Sequence, residues 1–160
     1  MGKISQLKKG QRLFRGVAQL SLDNKGRLAI PTKYREGLAT LGNGRLVITA
    51  DPDACLLLYA QPDWEPIQQK LNSLSSFNPK LRNLQRVIVG YAEDIEMDGT
   101  GRILISPSLR EFAALDKRVV LVGQGMKFEL WDAEKWNEQR NLAQSFRNQP
   151  LPPELEGFSL

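Results

Sequence analysis

The sequence predicts an α+β protein that contains two copies of one small unit, arranged about a pseudo-two-fold axis. The first observation is an internal repeat, because "LSLDNKGRLAIPTKYREGLA" from Leu20 aligns without gaps on "IEMDGTGRILISPSLREFAA" from Ile95. The second is that β-rich runs alternate with a short helical pattern in each copy. Two copies are too few for a solenoid, so we expect each half to supply strands that the other half needs.

Each copy is predicted to begin with a β-hairpin that is followed by a short helix and two more strands. In the first copy "VAQLSL" and "RLAIP" flank the loop "NKG" at residues 24–26, and the loop of the second copy is "GTG" at residues 99–101. A three-residue hairpin loop places its glycine in the left-handed backbone region. Thr32 and Ser106 are the expected helix N-caps, with Pro107 at the first helical position.

Helices are also predicted between and after the two copies. Apolar residues recur at helical spacing within residues 64–74 and 81–91, which indicates a helical hairpin as the connector. A last helix is expected to run from Asp132 towards Phe146. The predicted segments are an N-terminal extension expected to be disordered, a first unit, the helical connector, a second unit, a C-terminal helix and a flexible tail, at residues 1–13, 17–63, 64–91, 92–135, 136–148 and 149–160, respectively.

The residue content argues against an enzyme. The chain contains no histidine and one cysteine, Cys55, which removes the commonest general acid–base residue and an internal disulfide. The carboxylates show no spacing that selects a metal site. We therefore expect no catalysis, no cofactor, no metal and no small-molecule substrate. No apolar run approaches the roughly 20 residues that cross a bilayer, so we expect a cytoplasmic protein without membrane association.

Positive charge is concentrated at the front of the chain. Residues 1–45 hold ten Lys or Arg against Asp23 and Glu36, a net charge of +8, whereas the whole chain carries +4 and residues 46–160 therefore carry −4. Such asymmetry is typical of a protein that binds a polyanion, because Lys and Arg side chains that face phosphates release counterions. A solvated basic tail would give the same pattern, so charge alone does not choose between them.

The segment "LDNKGR" has a structural and a functional interpretation. Asp23 and Arg27 flank the loop and can pair across it, and Asp23 can accept hydrogen bonds from loop amides. This turn-forming role explains the Asp and the Gly. It explains Arg27 less well, because a guanidinium that a carboxylate orients beside Lys25 is suited to phosphates or guanine edges. We therefore expect a binding function for Arg27.

The pattern Asp-x-x-Gly-Arg-hydrophobic-x-Ile-Pro, followed by Arg35, resembles the DNA-binding hairpin of the AbrB family. Over about residues 14–140 the chain also resembles the MraZ family, in the blocks "FRGVAQLSLDNKGRLAIPTKYRE", "CLLLY", "FNPKLRNLQR", "MDGTGRILISPSLRE" and "VVLVGQGMKFELWD". The resemblance implies two AbrB-like units that form a swapped-hairpin β-barrel, and subunits that assemble into a ring. It also implies a nucleoid-associated repressor of the family's own division and cell-wall gene cluster, bound to tandem promoter repeats on double-stranded DNA.

The resemblance also assigns roles to residues. The family's Asp-x-x-x-Arg motif falls on both loops, and the implied DNA-binding residues are Arg15, Lys25, Arg27, Arg35, Thr100, Arg102 and Arg110, with Asp23, Gly26, Asp98 and Gly101 shaping the loops. The second copy has no basic residue at its loop tip and is preceded by the acidic strand "AEDIEMD". We therefore expect the first copy to contribute more to DNA binding.

Two further expectations concern the ends of the chain. AbrB-like barrels also occur in antitoxins, so an interaction module that binds a partner through its tail is the alternative function. The duplication favours the regulator, because an antitoxin usually obtains its barrel from two chains. Leu13 can be encoded by codons that serve as bacterial starts, so we expect residues 1–12 to reflect an over-early start; the rival is a basic arm that contacts phosphates.

Overall fold

The computed structural model describes residues 14–159, so the expectations for residues 1–13 lie outside the described part of the chain. Each copy contributes four strands. Those of the first copy are β1 (Phe14–Ser21), β2 (Arg27–Ala29), β3 (Arg45–Asp51) and β4 (Cys55–Ala60). Those of the second copy are β5 (Glu93–Glu96), β6 (Arg102–Leu104), β7 (Arg118–Gly125) and β8 (Lys127–Asp132).

The helices follow the strands of their own copy. They are α1 (Thr32–Gly42), α2 (Gln61–Asn72), α3 (Pro79–Leu84), α4 (Pro107–Phe112) and α5 (Ala133–Ser145). A π-helical turn (Gln85–Val89) continues α3, and a short 3-10 turn (Pro153–Leu155) lies near the C-terminus. The fold is therefore a mixed α+β architecture with two structural repeats, as the sequence predicts.

Side-chain caps explain where two of these helices begin. Asp132 accepts hydrogen bonds from the amides of Glu134 and Lys135, so α5 starts directly after it and its C-cap is Phe146, as predicted. Ser106 caps α4 by accepting from the amide of Leu109.

The predicted cap at Thr32 is wrong. Pro31 occupies the N-cap position of α1 and makes no side-chain cap hydrogen bond, and Thr32 is the first helical residue. The physical reason is that Pro31 stands where the second copy has Ser106, and its side chain has no hydrogen-bond acceptor.

Strand exchange between the copies organises the sheet. Six antiparallel strands lie in the order β1-β7-β8-β4-β3-β5, and β2 pairs with β6 in a separate two-stranded sheet. β1 pairs with β7 of the other copy, and β5 pairs with β3 in the equivalent way. If each strand is replaced by its equivalent in the other copy, the strand order is reversed. The pseudo-two-fold axis therefore passes between the two central strands, β8 and β4.

The structure corrects the predicted local hairpin and the closed barrel. β1 pairs along its full length with β7, from Phe14 opposite Gly125 to Ser21 opposite Arg118, rather than with β2. The reason is length, because β2 has three residues whereas β7 offers eight partners to the eight of β1. The same order leaves β1 and β5 at the edges of the six-stranded sheet, whereas a closed barrel has no edge strand.

One core fixes the two sheets relative to each other. Phe14, Tyr34 and Phe128 form an aromatic cluster with ring centroids 4.5 to 6.0 Å apart. Leu28 of β2 and Ile103 of β6 lie opposite each other, and both are buried in the same core. Burying a side chain of this size contributes about 1.5 to 3 kcal/mol. The loops that end β1 and β5 are therefore attached to a rigid base.

Candidate nucleic-acid interface

The loop of the first copy is held by a single carboxylate. Oδ1 of Asp23 accepts hydrogen bonds from the amides of Lys25 at 2.9 Å and Arg27 at 2.8 Å. Oδ2 of the same residue accepts from Nε of Arg27 at 2.7 Å. Gly26 has a φ of +84°, so the predicted left-handed glycine is confirmed. Hydrogen bonds to Asp23 therefore hold Lys25, Gly26 and Arg27 in one compact loop and orient the guanidinium of Arg27.

The loop of the second copy repeats this geometry. Oδ1 of Asp98 accepts from the amide and hydroxyl of Thr100 and from the amide of Arg102, at 2.8 to 2.9 Å. Oδ2 accepts from Nε of Arg102 at 3.2 Å, and Gly101 has a φ of +80°. Thr100 therefore adds a hydroxyl bond that Lys25 cannot make in the first loop.

These hydrogen bonds stabilise the ionised form of both aspartates. The amide of Arg27, helped by its guanidinium and the amide of Lys25, lowers the pKa of Asp23 from 3.8 to about 2. The amide of Arg102 and the hydroxyl of Thr100 lower the pKa of Asp98 to about 2 in the same way. Both carboxylates therefore stay charged at neutral pH and keep orienting the arginines.

The two motif arginines have donors left for a ligand. The side chains of Arg27 and Arg102 are 35% and 41% exposed. Within residues 14–159, the side-chain hydrogen bonds of both involve Nε and the loop aspartate alone. A guanidinium has five N–H donors, so the four on the two η-nitrogens remain available to an acceptor outside the chain.

Each loop is completed by the other copy. The amide of Ile105 donates to the carbonyl oxygen of Gly26 at 2.9 Å, and the amide of Ile30 donates to that of Gly101 at 2.8 Å. A Cβ at Gly26 would lie 2.8 Å from Cζ of Arg110. The guanidinium of Arg110 therefore lies beside the loop of the first copy.

Arg35 takes the equivalent place beside the second loop. A Cβ at Gly101 would overlap its guanidinium, whose Nε donates to the carbonyl oxygen of Ile30 at 2.7 Å. Nε of Arg110 donates to Ile105 at 3.0 Å in the same manner. The structure thus brings together four predicted arginines, Arg27, Arg35, Arg102 and Arg110, in one surface that both copies build; we call it the loop surface.

Arg15 lies apart from the loop surface. It is exposed near the start of β1, opposite Gln124, whereas the loop follows the end of that strand. The eight residue-to-residue steps from Arg15 to Asp23 span roughly 26 Å of extended chain. The carbonyl oxygen of Arg15 accepts from the hydroxyl of Tyr34 at 2.5 Å. Any DNA contact of Arg15 would therefore be separate from those of the loops.

Two basic residues beside the first loop are absent from the sequence prediction. The amide of Leu22 donates to the carbonyl oxygen of Lys117 at 2.8 Å, and Arg118 lies opposite Ser21. A small groove of about 200 Å³ is lined by Asp23, Lys117 and other residues of this region. The internal repeat of the sequence does not predict these two residues, because they reach the first loop only through the pairing of β1 with β7.

The second loop lacks an equivalent pair. The amide of Met97 donates to the carbonyl oxygen of Gly44, which corresponds to Lys117, and Arg45 lies opposite the acidic Glu96. The first loop therefore has Lys117 and Arg118 beside it, with Asp116 in the same groove, whereas at the second loop Gly44 replaces the lysine and Arg45 faces Glu96.

The described part of the chain contains neither a cluster of metal-ligating side chains nor a membrane-spanning helix. Residues 14–159 hold no group of three or more Cys, Asp or Glu side chains arranged to bind a metal ion. Among the same residues, no helix has the length and apolar character needed to cross a membrane.

The chain matches a family model across both of its copies. The model is described as "MraZ protein, putative antitoxin-like" and matches residues 13–87 and 88–150. A relative named transcriptional regulator MraZ, from Nitrosospira multiformis, is 66% identical over 148 residues, which cover 92% of this chain and 100% of the relative. Relatives with the same name and coverage from Nitrosomonas europaea and Thiobacillus denitrificans are 60% and 57% identical. This chain belongs to the MraZ family.

Proposed function

We propose that this protein is a DNA-binding transcriptional regulator that represses its own division and cell-wall gene cluster. The observation that carries the proposal is the loop surface, where two aspartate-oriented arginines keep their η-nitrogens available on rigid loops. The name of the relatives, transcriptional regulator MraZ, supports the same function. A cytoplasmic location in association with the nucleoid follows from this role.

The chemistry of the loop surface suits duplex DNA. A guanidinium can donate two parallel hydrogen bonds to a phosphate, or to O6 and N7 of guanine in the major groove. Asp23 already fixes the orientation of Arg27, so little side-chain freedom is lost on binding. Lys25 and Arg110 add positive charge beside the same loop, which favours a polyanion.

Lys117 and Arg118 extend the DNA-binding set of the first loop. Lys117 lies beside Asp23, and Arg118 has the uncharged Ser21 opposite it, whereas the equivalent Arg45 has the acidic Glu96 opposite it. We propose that the first loop, with these two residues, makes the larger share of phosphate contacts, and that the second loop, with Thr100 and Arg102, makes fewer.

The strands that the two copies exchange are consistent with the fold that the family resemblance implies. β1 lies on β7 and β5 lies on β3, which supports a swapped arrangement of two AbrB-like units at residues 17–63 and 92–135. Joining both units in one chain fixes the spacing of the two loops. We propose that several such chains form a ring, which presents many loops to tandem promoter repeats.

An electrophoretic mobility shift with the DNA upstream of the protein's own gene tests this function. Wild-type protein is expected to bind this DNA better than a scrambled duplex, and affinity is expected to rise steeply as the number of promoter repeats increases. Arg140→Ala, an exposed position on α5, is the control that should bind like wild type. Equal affinity for the scrambled duplex would contradict the proposal.

An antitoxin-like interaction module is the second candidate, because the family description contains that term. Exposed apolar side chains after α5, among them Leu151 and Phe158, would be the partner-binding segment. A pull-down from the native host, run beside the mobility shift, separates the two functions. A stoichiometric toxin partner together with no operator binding would favour the module.

A further inference from the structure

Exposed apolar side chains concentrate at the C-terminal end of the described chain. Among residues 14–159, eight large hydrophobic side chains are exposed, and five of them lie on α5 or after it: Leu142, Phe146, Leu151, Leu155 and Phe158. Scattered exposed hydrophobics need no explanation, but a concentration of this kind marks an interaction surface. The part after the helix, residues 150–159, is here called the C-terminal segment.

The C-terminal segment is acidic and partly preordered. It reads "PLPPELEGFS", with Glu154 and Glu156 and no basic residue. The 3-10 turn at Pro153–Leu155 and the three prolines restrict its backbone. A restricted segment loses less conformational freedom when it binds.

A groove of complementary character lies on the connector. It has a volume of about 480 Å³. Its lining within residues 14–159 includes Leu74, Arg82, Arg86 and Val89, and among these described residues no acidic side chain lines it. Phe77, in the loop beside it, is 94% exposed. Its walls are tied together, because Nε2 of Gln85 donates to the carbonyl oxygens of Leu71 at 2.8 Å and Leu74 at 3.3 Å. We call this the connector groove.

The helix α5 is equivalent to α2 by the pseudo-two-fold symmetry, but no segment packs on it as the π-helical turn packs on α2 within the described residues. In the first copy, the π-helical turn folds back onto β3 and α2, where Thr49 Oγ1 donates to the carbonyl oxygen of Ile88 at 2.5 Å. α5 follows β8 as α2 follows β4, yet its Leu142 and Phe146 remain 51% and 60% exposed. The uncovered face therefore belongs to the copy that carries the C-terminal segment.

We propose that the C-terminal segment of one molecule docks into the connector groove of a second copy of this chain. Glu154 and Glu156 then face Arg82 and Arg86, while Leu155 and Phe158 pack on the apolar part of the groove. Such a contact is heterologous, because it joins different surfaces on the two molecules, and it forms a ring when the rotation closes. The proposal rests on the self-assembly that the proposed function includes, and it names the surface.

Charge reversal tests the docking in the full-length protein. Arg82→Glu with Arg86→Glu, and separately Glu154→Lys with Glu156→Lys, are each expected to raise the dissociation constant for assembly at least tenfold in analytical ultracentrifugation. A mixture of the two double variants is expected to reassemble, because each groove then meets a segment of opposite charge. Arg140→Glu and Glu138→Lys are the matched controls on the exposed face of α5.

A photo-crosslinker in place of Phe158 tests whether docking occurs between molecules. With a mixture of isotope-labelled and unlabelled chains, mass spectrometry is expected to find adducts that join a labelled and an unlabelled chain at residues 72–90. Adducts within single chains alone, or at other positions alone, would overturn the proposal. Unchanged assembly in both double variants would overturn it as well, as would a wild-type chain that stays monomeric.

The outcome is separable from that of the proposed function. Arg82 and Arg86 lie on the connector rather than on the loop surface. The dissociated double variants are therefore expected to bind a duplex with one promoter repeat as well as wild type does, and to lose only the gain from additional repeats. Wild-type protein that assembles through this contact but ignores its own promoter would refute the DNA-binding function and leave the docking intact.

Discussion

At the residue scale, each loop depends on one aspartate that orients one arginine. Asp23 and Asp98 use both carboxylate oxygens within their own loops, so the side chain of each arginine is held through Nε. An exposed ion pair of this type contributes only about 0 to 1 kcal/mol to stability. Its main effect is therefore on the orientation of the η-nitrogens.

Arg27→Ala is expected to weaken operator binding more than Arg102→Ala. The first loop has Lys25 and Lys117 beside it, whereas the acidic strand β5, which ends at Glu96, leads directly into the second loop. The loss at Arg27 should be about 1 to 3 kcal/mol, with a salt slope lower by about 1 if the contact is to a phosphate. Fluorescence anisotropy over a salt series measures both quantities. Identical losses for the two variants would contradict the asymmetry.

Acid should destabilise the loops through their aspartates. Because folding lowers the pKa of Asp23 from 3.8 to about 2, this stabilisation is complete above pH 3.8 and disappears as the pH falls through about 2. Asp23→Asn with Asp98→Asn should therefore show a smaller decrease in unfolding free energy over that pH range than wild type. Carbon-13 titration of the carboxyl groups gives the midpoints directly. A midpoint for Asp23 at its ordinary 3.8 would refute the assigned hydrogen bonds.

At the element scale, the loops and a sharing of strands between the copies could be predicted from sequence, but the particular partner of each strand could not. The hydrogen bonds that Asp23 accepts, the left-handed Gly26 and the cap at Asp132 all act within a few residues, so local rules predict them. The pairing of Ser21 with Arg118 joins residues that are far apart in sequence. It depends on the length and burial of β7, which no local pattern encodes.

The same distinction separates predicted from unpredicted site residues. The family resemblance predicted a function for Arg35 and Arg110, but it did not predict that each lies beside the glycine of the other copy's loop. Lys117 was not predicted, because it reaches the first loop only after β1 joins β7. The unpredicted part of the site is therefore the part that strand exchange creates.

Gly101→Ala is expected to destabilise the fold by about 1 to 3 kcal/mol. Its φ of +80° disfavours a side chain, and a Cβ there would overlap the guanidinium of Arg35. Gly99→Ala, in the same loop, is the matched control, since a Cβ at Gly99 meets nothing within 4 Å. The control should change stability by less than about 0.5 kcal/mol. Urea denaturation compares the two, and equal values would contradict the packing of Arg35 on the loop.

At the scale of the whole molecule, both copies must be folded together for either loop to be complete. The amides of Ile30 and Ile105 each donate to the glycine carbonyl oxygen of the other copy's loop, and both side chains are buried in the shared core. A separated half would lack the pairing partner of its first strand as well. The duplication thus gives one chain two arginine-bearing loops at a fixed spacing.

We propose that this loop surface is where the protein contacts DNA. Photo-crosslinking from a single substituted position tests it most directly. A photoreactive side chain in place of the exposed Asn24, at the tip of the first loop, is expected to form an adduct with promoter DNA, and one in place of Glu138 on α5 is not. Adducts from position 138 with none from position 24 would contradict the account.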